Sequence, residues 1–310
     1  MNAGAVDLLA SPWARLLGGA AILAVLVVQL GADPFVDGVR HTDATAILVA
    51  LVVTAGTTWC CAWRWSLLSK GLDVAVPVRT AYRLYYRSQL LNATLPGGVL
   101  GDLHRGLDHG RTTGALGRGL RSVVWDRAAG QVVQAGLAAA AVLLLPAAVR
   151  ADVGWLLLAV LGVVLVAAVV VPPRVRRVLA ADLRAVHGVR GGWRVWPRVV
   201  LASVLAALGH AVVFVVAARS AGVTISLAHL VALALVVLLV SALPLNVAGW
   251  GPREGATAWL FAAAGLGAAT GISVAVVYGV VSLLATLPGL LTLVPRGVRA
   301  PEPAEVVAHG

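Results

Sequence analysis

The chain has 310 residues, of which 60% are hydrophobic and 12% charged, with a formal net charge of +11 and a mean hydropathy of +0.93. That charge content is about half of a soluble domain's, which excludes a soluble globule. The basic residues lie in connections between apolar runs, the pattern of the cytoplasmic flanks of a membrane protein, so the positive charge does not point to nucleic acid.

The apolar runs are long enough to cross a bilayer, which takes about 20 residues. The first predicted span covers 14–31. It is flanked by Trp13 and Arg15 and followed by Asp33 and Pro34 with no small-x-small cleavage site, so it reads as a span rather than a signal peptide. A second span covers 43–63 and ends in Cys60-Cys61. These cysteines have no partner elsewhere for a disulfide framework or zinc spacing and read as two small apolar residues. Segment 77–94 leads into a Pro-Gly break and 97–110 leads away from it. Spans follow at 119–147 and 152–172. The arginine-rich segment 173–196 reads either as an amphipathic element on anionic headgroups or as a disordered basic loop. A span at 199–219 comes next, then segment 226–243 into a second Pro-Gly break, segment 253–268 out of it, and a last span at 270–295. The expected fold is an all-α polytopic membrane protein of about six to eight transmembrane helices with two broken, re-entrant segments. A single integral membrane domain occupies 1–300, and 301–310 is an unstructured tail.

Lys and Arg collect in the connection from Arg64 to Arg121 and in the one from Arg174 to Arg198. The intervening turns are poor in them, so the positive-inside rule puts both basic connections and both termini in the cytoplasm. The two breaks then dip into the membrane from opposite sides, as in an inverted-topology repeat.

Both breaks carry one pattern. Leu95-Pro96 is followed by Gly101 and Arg105, and Leu243-Pro244 by Gly249 and Arg253, each as L-P-x4-G-x3-R. Pro96 removes a backbone donor, and Gly97, Gly98 and Gly101 permit close backbone approach. Free N–H groups at the new helix start attract anions, and Arg105 offers a rigid fork to a phosphate. Asp102 either positions Arg105 or caps the following helix. In the second copy, Gly251-Pro252-Arg253-Glu254 reads as a helix start, with Pro252 in the first turn and Glu254 near the positive end. Glu254 has alternative partners in Arg253 and Arg105. Asn92 and Asn246 are candidate caps of the broken ends. The bland alternative is that the arginines are topology anchors and the glycines only make turns.

A third cluster is Trp125-Asp126-Arg127 with Gln131 and Gln134. The spacing puts Arg127, Gln131 and Gln134 on one helical face. Intramembrane charges usually face a bundle interior or wet cavity; the alternative is an Asp126–Arg127 pair satisfied locally. The stretch from Tyr82 through Tyr85, Tyr86 and Arg87 to Gln89 fits the inner interface. His210, alone in an apolar span, reads first as structural and second as a proton relay. No cofactor is expected. There is no Walker loop, and the spacing of Asp102, His104, Asp108 and His109 does not converge on one helical face.

Three stretches resemble the lysylphosphatidylglycerol synthase transmembrane-domain family of flippase-like proteins. Pro96 to Arg105 resembles its P-G-x-x-x-G-D-x-x-R. Val124 to Gly130 resembles its hydrophobic-acid-Arg-x-x-Gly helix, with Asp126 where glutamate is equally usual. Pro244 to Glu254 resembles its P-x-x-x-G-G-x-G-x-R-E, with Ala248 in place of the first paired glycine. The resemblance implies a membrane domain that moves a modified phospholipid between leaflets. It does not fix the substrate, and aminoacyl transfer is not expected of this chain.

The expected function is a flippase-like transporter of a phosphate-bearing lipid, aminoacylated or glycosylated, in a bacterial inner membrane. Arg105 and Arg253 bind the phosphate, and Asp102, Asp126 and Glu254 orient them, with Arg127 alongside. The alternatives are a membrane enzyme or accessory subunit acting on a lipid-phosphate carrier, and a structural scaffold. The partner expected is a membrane lipid, with a second copy or a lipid-synthesis protein as a further one.

Overall fold

The computed structural model describes residues 24, 27–28, 31–95, 98–147, 149–155, 158, 162, 170–188, 194–242 and 250–292. Within them every regular element is helical: α1 (Asp33–Arg40), α2 (Ala44–Gly71), α3 (Val78–Thr94), α4 (Leu100–Thr112), α5 (Leu116–Val142), α6 (Pro173–Gly188), α7 (Val195–Ser220), α8 (Leu227–Ser241), α9 (Pro252–Ala263) and α10 (Ala268–Thr286), which runs on into a 3-10 turn (Leu287–Thr292). Helices satisfy their own backbone groups, which a bilayer interior demands.

Among the described residues, three helices are long and apolar enough to cross a membrane: α2, α7, and α10 with its 3-10 extension. α8 is apolar but has only 15 residues. The 27-residue α5 is not one of the three, because Asp126, Arg127, Gln131 and Gln134 interrupt its apolar run. Its helix stops at Val142, before Pro146, rather than continuing to 147 as the sequence suggested. Most of the predicted spans 14–31 and 152–172, and the tail, lie outside the described residues.

Both predicted breaks separate helix pairs. The 17-residue α3 ends at Thr94 and the 13-residue α4 starts at Leu100. α8 ends at Ser241 and the 12-residue α9 starts at Pro252. Neither α4 nor α9 is long enough to span alone.

Local chemistry fixes several ends. The Asp43 carboxylate accepts the Ala46 N–H at 2.6 Å and starts α2. At α9, Pro252 occupies the first turn and Glu254 Oε2 accepts the Gly251 N–H at 2.6 Å, as the sequence suggested.

α2 is the central element, packed along α7 and flanked by α3, α5 and α10. The largest apolar core gathers Phe214 on α7, Leu230 and Leu233 on α8, Phe261 on α9 and Val277 on α10. Outward-facing Leu48, Val52, Val132, Leu201 and Val212 stay exposed, forming the apolar exterior that hydrocarbon covers.

One sequence expectation is corrected and one left open is decided. α2 does not end at 63: it continues to Gly71 and carries Arg64 inside the bundle, away from the basic connection. Of the two readings left open for the arginine-rich segment, 173–188 takes the helical one rather than the disordered loop. Its Val186 packs on α2 at Gly71, and its buried Asp182 accepts from Arg121 Nε at 2.7 Å and Trp125 Nε1 at 3.3 Å. Arg174, Arg176, Arg177 and Arg184 remain exposed on α6. Asp182→Ala should therefore loosen α6 while sparing the bundle. Limited trypsin digestion should cut the variant at these arginines several-fold faster, with the melting temperature within a few degrees of wild type; unchanged digestion would dismiss the anchor.

Candidate functional site

The first break builds a buried polar cluster. Gly98 turns the chain with φ 61°, and α4 then lies against α3 so closely that a Cβ on Gly101 would sit 2.1 Å from the Ser88 carbonyl oxygen. Asn92 bridges the break: its Oδ1 accepts the Gly101 N–H at 2.8 Å and its Nδ2 donates to Asp102 Oδ2 at 3.0 Å. Gly101→Ala must push the two helices apart, and a loss of about 1–3 kcal/mol is expected, read as a lower thermal midpoint in detergent.

Arg105 sits at the centre of this cluster with no exposed surface. Its guanidinium donates to Asp102 at 2.9 Å and to Asp126 at 3.2 and 3.3 Å. It is stacked between Tyr85, 3.9 Å from the ring centroid, and Trp65, at 4.4 Å. Asp126, also fully buried, accepts from Arg64 Nε at 2.8 Å and from the Tyr85 hydroxyl at 2.5 Å. Arg64 also donates to Ser203 at 3.0 Å. Asp102 accepts from Ser88 at 3.0 Å and from Arg127. Asp126 and Arg127 thus do not form the local pair weighed from sequence; each bonds a partner on another helix.

The second motif repeats this construction at a smaller scale. Arg253 Nε donates to Glu254 Oε1 at 2.8 Å, and the guanidinium lies 5.0 Å from the Trp250 ring and 5.5 Å from the Tyr278 ring. Gly279 makes room for it: a Cβ there would fall 2.3 Å from Arg253 Nη2. In both motifs an arginine is held by a neighbouring carboxylate, a tryptophan and a tyrosine. Asn246, Gly249 and Gly97 lie outside the described residues.

A cavity of about 290 Å³ opens between the two clamps. Tyr85 and Tyr278 both line it, so Arg105 and Arg253 each stand one ring behind its wall. The charged groups on the wall are Arg64, Asp102 and Arg127. Arg127, with its side chain 40% exposed, is the most open of the cluster's arginines. Gln131 and Gln134 line the wall beside it, as the helical spacing suggested, and His210 faces it from α7. An adjoining cavity reaches Gly98, Asn92 and Tyr278.

Sequence reasoning missed Arg64, Tyr85 and Tyr278 as cavity residues. Arg64 was readable in principle: it falls on the same helical face as Cys61, which also lines the cavity. Tyr85 and Ser88 turn inward, whereas Arg79 and Arg83 on the same helix are exposed, so only part of that stretch suits an interface.

The cluster holds three guanidinium groups, on Arg64, Arg105 and Arg127, and two carboxylates, on Asp102 and Asp126. Its formal charge is therefore 3 − 2 = +1, placed against a polar cavity within a helical bundle. An anion entering the cavity neutralises it.

The family described as lysylphosphatidylglycerol synthase TM region matches residues 12–289. Among curated proteins no match was found.

Proposed function

Since the chain belongs to the lysylphosphatidylglycerol synthase TM-region family of membrane proteins, we propose that it carries a phosphate-bearing lipid between leaflets through the cavity between its two broken segments. The observation that supports this reading is the cluster's unbalanced positive charge beside the cavity. A phosphate held there gains charge-assisted hydrogen bonds from Arg127 and Arg64. That offsets the several kcal/mol it costs to bring a charge into a bilayer interior. The cavity has room for roughly ten waters, enough for a phosphate with a small polar headgroup. Acyl chains remain along the apolar exterior.

Arg105 and Arg253 take a supporting role in this reading. Enclosed by carboxylates and rings, they hold Tyr85 and Tyr278 in place rather than contact the headgroup. An enzyme acting on the same phosphate through a carboxylate base would need that carboxylate unengaged. Asp102 and Asp126 both accept from arginines, which favours carriage over chemistry. The Arg-rich connections and both termini are read as cytoplasmic, in a bacterial inner membrane. Movement is downhill or ion-coupled, and His210 on the cavity wall is the nominee for a proton.

The test is reconstitution into proteoliposomes containing fluorescent phosphatidylglycerol, with dithionite quenching of the outer leaflet. Loss of signal beyond the half quenched in protein-free vesicles is the expected result. Quenching that stops at half, with protein verified as folded and inserted, would reject lipid carriage.

A further inference from the structure

The composition of the cavity wall bears on which headgroup it admits. A cationic headgroup, such as an aminoacyl ester with a free ammonium, is recognised by carboxylates with open lone pairs or by aromatic faces. Among the described residues, this cavity has committed both kinds of partner to its own arginines.

Among the described residues Asp102 is the one carboxylate on the wall, and it accepts from Ser88, Asn92, Arg105 and Arg127. Asp126 lies behind the wall, with Arg64, Tyr85 and Arg105 on its two oxygens. Glu254 is engaged by Arg253 and the Gly251 N–H. The aromatic groups are similarly engaged: Tyr85 carries the Arg105 guanidinium at 3.9 Å and Tyr278 carries that of Arg253 at 5.5 Å. An ammonium entering here meets a cluster of charge +1 with no free counterion. The rest of the polar wall is neutral, with Gln89, Gln131, His210 and Ser241 offering donors and acceptors suited to hydroxyl groups.

We propose that the cavity selects an anionic phosphodiester lipid with an uncharged, hydroxyl-bearing headgroup, a polyol or a sugar, and rejects a cationic aminoacylated one. This rests on the lipid-carrier reading above and narrows its substrate class. Like charges brought together in a low-dielectric cavity disfavour binding, so the preference for the anionic over the cationic form is on the order of tenfold or more.

The experiment is competition in phosphatidylcholine nanodiscs doped with equal amounts of phosphatidylglycerol and lysyl-phosphatidylglycerol, with protein-bound lipid counted by native mass spectrometry. Wild type should retain phosphatidylglycerol about tenfold over the lysyl form. Gln131→Glu adds a carboxylate to the wall at nearly constant shape and brings the cluster to neutrality. It should cut that ratio about tenfold, and Gln89→Glu serves as a second position if Gln131→Glu fails to fold. Equal or greater retention of the lysyl lipid by wild type, with both above phosphatidylcholine, overturns the selectivity and leaves the lipid-phosphate site standing. A wild-type preference that neither glutamate variant alters overturns the assignment of selection to this cavity. Retention of neither above phosphatidylcholine overturns the carrier reading together with the selectivity.

Discussion

Asp126→Asn is expected to destabilise the protein by about 3–5 kcal/mol, the cost of breaking a buried ion pair from one side. The residue is wholly buried and joins three helices: it accepts from Arg64 on α2, Tyr85 on α3 and Arg105 on α4. The amide keeps the shape but loses the charge, and it turns an N–H₂ toward donors. The cluster's formal charge rises from +1 to +2 around a wholly buried side chain. The thermal midpoint in detergent should fall by many degrees, and the amount of protein in membranes with it. Arg64→Gln in the same chain returns the formal charge to +1, so the double variant should recover part of the loss, a non-additivity that a double-mutant cycle reads directly. An Asp126→Asn midpoint equal to wild type, or strictly additive losses in the cycle, would contradict a shared charge network.

This network was only partly legible in the sequence. The twin breaks were, because proline and glycine act through the backbone and need no partner to declare themselves. Glu254 as a cap was legible for the same reason, its partner being only three residues away. The shared face of Arg127, Gln131 and Gln134 follows from helical geometry and appears on the cavity wall. What the sequence hides is which distant charge answers which. Arg64 and Asp126 are 62 residues apart and Arg105 and Asp126 are 21 apart, and no periodicity relates residues on separate helices. A span read by hydropathy also stops at its first arginine. That rule assigned Arg64 to a connection, although a buried arginine with a buried carboxylate beside it lies well inside the bundle. The same limit hides that Arg105 and Arg253 are enclosed by rings. An exposed guanidinium and one enclosed between a tyrosine and a tryptophan look alike in one dimension.

That distinction between enclosed and open arginines separates two kinds of variant. Arg127→Gln removes the most open cation of the cavity while Asp102 keeps Arg105, Ser88 and Asn92. Its fold should survive, with a midpoint within a few degrees of wild type. Its hold on an anionic headgroup should not, because a charge-assisted hydrogen bond contributes about 1.5–3 kcal/mol, which corresponds to roughly 10–100-fold in affinity for phosphatidylglycerol. Arg105→Ala and Arg253→Ala should do the reverse. Arg253→Ala strands the buried Glu254 carboxylate, Arg105→Ala takes one guanidinium from two buried carboxylates at once, and each empties a slot between two rings, so the loss should appear first in abundance and thermal midpoint. Measuring midpoint and retained phosphatidylglycerol on the same three preparations decides the matter. Should Arg127→Gln bind like wild type while stable Arg105→Ala or Arg253→Ala protein loses the lipid, the clamps rather than the open wall would be the headgroup site. The twin motifs would then act directly on the phosphate, and the role given to Arg127 would pass to them.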